Sequence, residues 1–184
     1  MSENKFPSLK IENIVASGSI TDSIDLEMLA TKMQNYELNK KRFPGAVLRL
    51  QNPKITVLTF SSGKVVMTGA RSHDDFARGL VNLVQKMSEA GVTCYDTPNV
   101  KVTNMVCSYD IGKYINLNKV VITFNMENIE YEPEQFPGLV YRIPNSNVVA
   151  LLFSSGKIIL TGGKTIDQIE DGVVFLEQKL ENLL

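Results

Sequence analysis

An α+β fold built from two similar halves is what this chain of 184 residues predicts. Three observations carry the prediction. The stretch at 43–69 returns at 136–162, shifted by 93 positions. Each copy holds short apolar runs of strand character separated by turn signals. Each half of the chain also carries two segments with an apolar stripe at helical spacing. A period of half the chain means a duplicated domain with pseudo-two-fold symmetry, since a solenoid needs several short units. Strand runs punctuated by two helices per half make the class α+β.

The repeat is specific. Phe43 returns as Phe136 and Phe60 as Phe153. Phe-Ser-Ser-Gly-Lys stands at 60–64 and 153–157, Phe-Pro-Gly at 43–45 and 136–138, and Thr-Gly at 68–69 and 161–162. Arg49 and Arg142 each follow the first Phe by six residues.

Taken in order, residues 1–8 are polar and expected to be loose. Residues 9–17 alternate as a strand, with Asn13 and Val15 on one face and Ile14 on the other. Asp25 caps a short helix whose stripe is Leu26, Leu29, Ala30 and Met33. Residues 36–42 read as a polar, basic connector. Strands follow at 46–50, 55–60 and 64–68, with Gln51-Asn52-Pro53 as one turn and Ser61-Ser62-Gly63 as a tight hairpin. Alternation places Thr56, Leu58, Phe60, Val66 and Thr68 on one face, and Ile55, Val57 and Thr59 on the other.

Ser72 caps a longer helix with Asp74 and Asp75 in its first turn, where the helix dipole favours them. Its stripe is Phe76, Leu80, Leu83, Val84 and Met87, and Gly91 ends it before a strand near 92–95. The second half repeats the order. A strand at 100–108 places Asn104 and Val106 where the first half has Asn13 and Val15. A short helix at 117–124 forms despite a β-branched run. Strands at about 138–143, 147–153 and 157–161 follow. Thr165 and Gln168 make a capping box for a last helix with Ile166, Ile169, Val173, Leu176 and Leu180 inward.

Composition narrows the function. Hydrophobic content of 43% and charge of 21% are those of a globular protein, and no apolar run approaches a membrane span or a signal-peptide core. The net charge of −1 conceals an asymmetry. Residues 1–95 hold 12 Lys/Arg against 9 Asp/Glu, a net of +3, and residues 96–184 hold 7 against 11, a net of −4. Any nucleic-acid binding must therefore rest on more than charge. His73 is the only histidine, which makes a histidine-based triad improbable. Cys94 and Cys107 form no CxxC pair, so neither a metal nor a cofactor is expected. Gly63-Lys64 is no phosphate loop, because that motif needs Gly where Leu58 stands and Ser or Thr where Val65 stands.

The helices cover one face of the strands. The other face carries Val15, Leu58, Phe60, Val66, Val106, Leu151, Phe153 and Ile159 with no helix left to cover it, which marks a binding surface.

These motifs, recurring in order in both halves, resemble the TATA-box-binding protein family, in an archaeal-like form, over nearly the whole chain. The resemblance implies a saddle in which two pseudo-symmetric repeats form one curved ten-stranded antiparallel sheet with helices on the convex face. It implies a short extension at residues 1–8 and repeats at 9–97 and 98–184. It implies a general transcription factor, without catalysis, that binds and bends AT-rich promoter DNA through the minor groove and nucleates the pre-initiation complex. Phe43 with Phe60, and Phe136 with Phe153, take the place of the family's wedges between base steps. Asn13, Val15, Leu58, Val66 and Thr68, with Asn104, Val106, Leu151, Ile159 and Thr161, take the place of its groove floor. Arg42, Arg49, Ser62, Lys64, Arg142, Ser155 and Lys157 take the place of its phosphate contacts.

Glu132 and Glu134 match the loop that docks the transcription factor B protein, through which RNA polymerase is reached indirectly. The resemblance further implies a cytoplasmic protein on an archaeal nucleoid, or a nuclear one from a eukaryote, and leaves open a homodimer in the absence of DNA. A floor of Val, Leu and Ile offers the guanine amine neither room nor an acceptor, so the bottom-up chemistry agrees. Two rivals stand beside this reading: an interaction scaffold that has lost TATA specificity, and an enzyme using the saddle as an appendage.

Overall fold

The computed structural model describes residues 5–184. Contacts divide it into two compact units: Asn13–Thr103, and Asn104–Leu184 together with the described residues up to Glu12. The strands β1 (Lys10–Ser19) and β6 (Asn99–Asp110) each run through that division.

The unit Asn13–Thr103 holds most of β1, then α1 (Leu26–Lys32), β2 (Tyr36–Leu38), β3 (Ala46–Gln51), β4 (Lys54–Thr59), β5 (Lys64–Ala70) and α2 (His73–Glu89). Its strand order is β2-β3-β4-β5-β1, antiparallel throughout. The other unit holds most of β6, then α3 (Leu117–Thr123), β7 (Ile129–Glu130), β8 (Leu139–Arg142), β9 (Val149–Leu152), β10 (Lys157–Gly163) and α4 (Ile166–Leu180). Its order, β6-β10-β9-β8-β7, is the same plan. The expected class is therefore the observed one: α+β and two repeats, with five antiparallel strands and two α-helices in each half among the described residues.

Alternation along the strands separates two faces. Ile55 and Val57 on β4, with Val65 and Met67 on β5, are buried, and α2 lies on their side. A Cβ on Gly79 of α2 would sit 2.4 Å from Ile55 Cδ1, so a larger residue there would have to push the tip of Ile55 aside. The matching Gly172 of α4 is similarly close to Ile143 and Val148, at 3.2 and 3.3 Å. Thr56, Leu58, Val66 and Thr68 point the other way and stay half-buried. The second unit repeats the split, with Ala150, Leu152, Ile158 and Leu160 buried and Leu151 and Ile159 half-buried.

Helix starts follow the expected chemistry. Side chains of Asp25, Ser72 and Thr165 accept from the backbone N–H three residues on, at 3.1, 3.0 and 3.2 Å. Asn116 caps α3 in the same way at 3.2 Å. The capping box at Thr165 is displaced by one residue, because Gln168 accepts from the N–H of Lys164 at 2.9 Å. Val120 is fully buried, and tertiary packing of this kind overrides the weak helix propensity of the β-branched run.

Four expectations need correction. Lys5–Ser8 are not loose: Phe6 is 8% exposed and meets the Tyr109 ring edge-on at 5.9 Å, and Ser8 donates to the Asp110 carbonyl at 3.0 Å. Tyr36–Leu38 is not connector but the edge strand β2, and Tyr36 hydrogen-bonds the buried Thr59 hydroxyl at 3.0 Å. The segment at 92–95 is not a strand but is pinned by single bonds, Tyr95 N–H to the Ile20 carbonyl and the Thr21 hydroxyl to the Thr93 carbonyl. Ala30 is exposed, leaving Leu26 and Leu29 as the buried stripe of α1.

Candidate nucleic-acid interface

Each unit builds the same half-site on its less-covered face, from the turns upward. Asn39 and Glu132 hold corresponding turns. The Asn39 carbonyl accepts from the N–H of Arg42 and Phe43, and the Glu132 carbonyl from the N–H of Gln135 and Phe136. Those turns deliver Phe43 and Phe136 onto the rings of Phe60 and Phe153, which follow β4 and β9. The rings meet edge-on, with centroids 5.5 Å apart in the first pair and 5.9 Å in the second. A Cβ on Gly45 would lie 2.9 Å from the Phe43 ring, and one on Gly138 2.7 Å from the Phe136 ring. The glycine of the Phe-Pro-Gly motif thus leaves room for the ring pair and, at Gly45, for the Thr59 carbonyl oxygen, 2.6 Å from such a Cβ. Phe136 remains 42% exposed, high for a large apolar side chain that folding alone would bury.

Val15, Leu58 and Val66 are half-buried on the same face of the first unit, and Val106, Leu151 and Ile159 on that of the second. The structure adds Val47, paired across the ladder with Leu58, and Val140, paired with Leu151. The sequence signal for both was available: each lies two residues before the repeated arginine and so shares its face.

The polar centre of each half-site is a clip. The Asn13 carbonyl oxygen accepts the Gly69 N–H at 2.6 Å while its Nδ2 donates to the Thr68 hydroxyl at 2.9 Å. Asn104 does the same with Gly162 at 2.7 Å and Thr161 at 3.2 Å. The registers of β1 and β10 slip beside these clips, between Ile14 and Val15 and between Thr161 and Gly163. Gly69 and Gly162 have φ of +112° and +94°, a conformation other L-residues rarely adopt.

The rim is charged and exposed. The Ser62 and Ser155 hydroxyls accept from the N–H of Lys64 and Lys157, tightening the hairpins that present those lysines. Arg49 pairs with Glu37 at 3.1 Å and Arg142 with Glu130 at 3.9 Å. Such exposed pairs are worth about 0–1 kcal/mol, so an incoming phosphate can displace them. Lys40 pairs with Glu27, and Arg42 stays exposed. Glu132 and Glu134 are exposed on the second loop. Among the described residues no cluster of metal-binding side chains occurs, and no helix is long and apolar enough to cross a membrane.

Fold and half-sites together describe a duplicated α+β binding protein. The family model described as transcription factor TFIID (or TATA-binding protein, TBP) matches residues 8–90 and 99–183. The chain is 46% identical over 176 residues to TATA-box-binding protein 2 of Methanosarcina mazei, covering 96% of each. It is 46% identical over 175 residues to the TATA-box-binding protein of Archaeoglobus fulgidus, covering 95% of this chain and 96% of the relative. The solved structure of Methanococcus jannaschii TBP superposes with a TM-score of 0.87 at 39% identity, over 96% of this chain and 99% of that one. This chain belongs to the TATA-binding protein family.

Proposed function

We propose that this protein is a general transcription factor that binds AT-rich, TATA-box promoter duplex in the minor groove, bends it, and nucleates the pre-initiation complex. The observation that supports this best is the half-site made twice, with a Phe pair at the end of an apolar floor and an Asn–Thr clip within it. A·T and T·A pairs present only acceptors in the minor groove, and G·C adds an amine. An apolar floor with few central donors accepts the first and rejects the second. Unstacking a base step costs about a few kcal/mol. Burying a large apolar side chain returns roughly 1.5–3 kcal/mol, so a wedge pair offsets much of that cost.

Arg42, Arg49, Lys64, Arg142 and Lys157, with Ser62 and Ser155, are the proposed phosphate contacts. Glu132 and Glu134 are the proposed dock for a factor B protein, which in turn recruits polymerase. The expected place of action is the cytoplasm, on the nucleoid, as for a protein of archaeal kind. A gel-shift titration with an AT-rich duplex and its G·C-substituted version tests the reading. Tighter binding to the AT-rich duplex supports it, and equal binding contradicts it.

A further inference from the structure

We propose that the unit Asn13–Thr103 binds an adenine mononucleotide in the hollow between the end of α1, strand β3 and the last turns of α2. This hollow lies on the helix-covered side of the sheet, away from the Phe pair. It encloses about 680 Å³, within the roughly 300–1,000 Å³ of small-molecule sites. Its bottom is apolar, built from Met33 and the buried Leu48 and Leu50.

The other unit shows what shape belongs there. Phe124, Tyr141 and Phe175 stand at the places of Met33, Leu48 and Asn82. Tyr141 stacks on Phe175 at 6.3 Å and meets Phe124 edge-on at 5.0 Å, so three flat rings fill the corresponding space. The Lys179 ammonium lies over the Phe124 ring at 5.7 Å, a placement that the ring's electrostatics favour. Lys86 corresponds to Lys179. Among the described residues it has neither a ring to lie over nor a carboxylate partner. The group missing from the first unit is flat and aromatic.

The walls make that group a nucleobase and not a hydrocarbon ring. Six of the fourteen lining residues are carboxamides. Asn82 Nδ2 donates to the Asn52 carbonyl at 2.7 Å, and Gln85 Nε2 to Glu89 at 3.3 Å. Gln34 and Gln51 make no side-chain hydrogen bond among the described residues. A carboxamide sets a donor beside an acceptor, which matches the acceptor N7 and donor N6 of adenine. Lys32 and Lys86 bring two ammonium groups against the single carboxylate of Glu89, while Arg49 is held by Glu37. A phosphate monoester, at about −1.5 to −2 near neutral pH, answers that charge.

The test uses the whole chain without DNA. AMP, adenosine, GMP and inorganic phosphate are titrated in turn by calorimetry, with the Met33 methyl resonance followed by NMR. AMP should bind once per chain and shift that methyl. GMP should bind about tenfold more weakly, and phosphate alone should leave the methyl unmoved. Lys86→Gln, an exposed change that threatens no packing, should weaken AMP about threefold to fivefold and leave adenosine unchanged. Asn82→Phe copies the second unit's filling and should abolish AMP binding while AT-rich duplex binding stays at the wild-type level.

No binding of AMP at about 1 mM would overturn the proposal. Phosphate binding as tightly as AMP would reduce the site to a patch of positive charge and overturn it too. GMP as tight as AMP would overturn the choice of adenine, and a folded Asn82→Phe protein that binds AMP normally would place the nucleotide elsewhere. If Asn82→Phe fails to fold, the Lys86→Gln contrast between AMP and adenosine still decides: equal loss of both contradicts the assigned phosphate contact. None of these results bears on the minor-groove reading, which concerns the other face of the sheet.

Discussion

The two repeats keep one face alike and back it differently. Where the first has Met33, Leu48 and Asn82, the second has Phe124, Tyr141 and Phe175 at the corresponding places. In the second, these rings fill the space between sheet and helices. Tyr141 stacks on Phe175 at 6.3 Å and meets Phe124 edge-on at 5.0 Å, and the Lys179 ammonium lies over Phe124 at 5.7 Å. In the first, the smaller side chains leave an open hollow of about 680 Å³ lined by Leu48, Asn82, Gln85 and Lys86 among others. The ring pairs and clips do not share in this divergence, and the floors differ only in Val66 against Ile159. Duplicated structure has changed where it meets its own helices, and the proposed base-facing residues have otherwise stayed in step. The rims have diverged as well, with Lys40-Lys41-Arg42 before Phe43 and Glu130 to Glu134 before Phe136.

The largest expected effect breaks the rim comparison. A near-symmetric pair of half-sites cannot alone choose a direction along DNA, whereas a partner reading one loop can. Glu132→Arg with Glu134→Arg should leave AT-rich duplex binding intact and abolish the ternary complex with a factor B protein, read as a lost supershift. Truncating a buried charge pair costs about 2–5 kcal/mol. A supershift at wild-type concentrations would mean that the partner docks elsewhere.

Next comes the difference in backing. Tyr141 is 2% exposed and Leu48 is 1% exposed, yet only Tyr141 is wrapped in rings. Tyr141→Ala should destabilise by about 3–5 kcal/mol in denaturant melts, and Leu48→Ala should fall near the lower end of about 2–5 kcal/mol, because the hollow already borders it. Equal losses would show that the hollow is filled in solution. On the rim, removing Lys64 should lower the salt slope of binding by about 0.9 and weaken AT-rich and scrambled duplexes alike. A loss confined to the AT-rich duplex would make Lys64 a base reader.

The smallest effect concerns Cys107, which stands where the first repeat has Ala16. Burial, with a smaller contribution from the Glu12 carboxylate, pushes its thiol up to about 11. A raised folded value means its contribution is complete below the ordinary thiol range, about 8.5, and is lost as pH rises from there through about 11. Cys107→Ala should remove that share of the alkaline decline in stability, measured against wild type between those pH values. An unchanged decline would assign it to other groups.

Much of this was legible in the sequence because the repeat supplied a second reading of every ambiguous residue. A single Phe60 looks like core, whereas Phe60 and Phe153 each beside Ser-Ser-Gly-Lys, with a partner Phe at fixed distance, do not. What escaped has physical causes. β2 and β7 are three and two residues long, too short for an alternation to stand out. Phe6 sits in a polar run, and its contact with Tyr109 shows a role that the run does not suggest. Gly79 and Gly172 have no side chain to join an apolar stripe, although both lie against buried apolar side chains. The clips combine a side chain with a main-chain N–H 56 and 58 residues away in sequence, and residue pattern does not encode that pairing.

The most direct test of the account is the bend itself. Dyes at the two ends of a short AT-rich duplex report its end-to-end distance on binding. Wild type should draw the ends together, and Phe60→Ala and Phe153→Ala should each weaken and straighten the complex while circular dichroism shows the protein still folded. Bending unchanged in both variants would make these phenylalanines core residues and contradict the proposal that the two half-sites wedge open the minor groove.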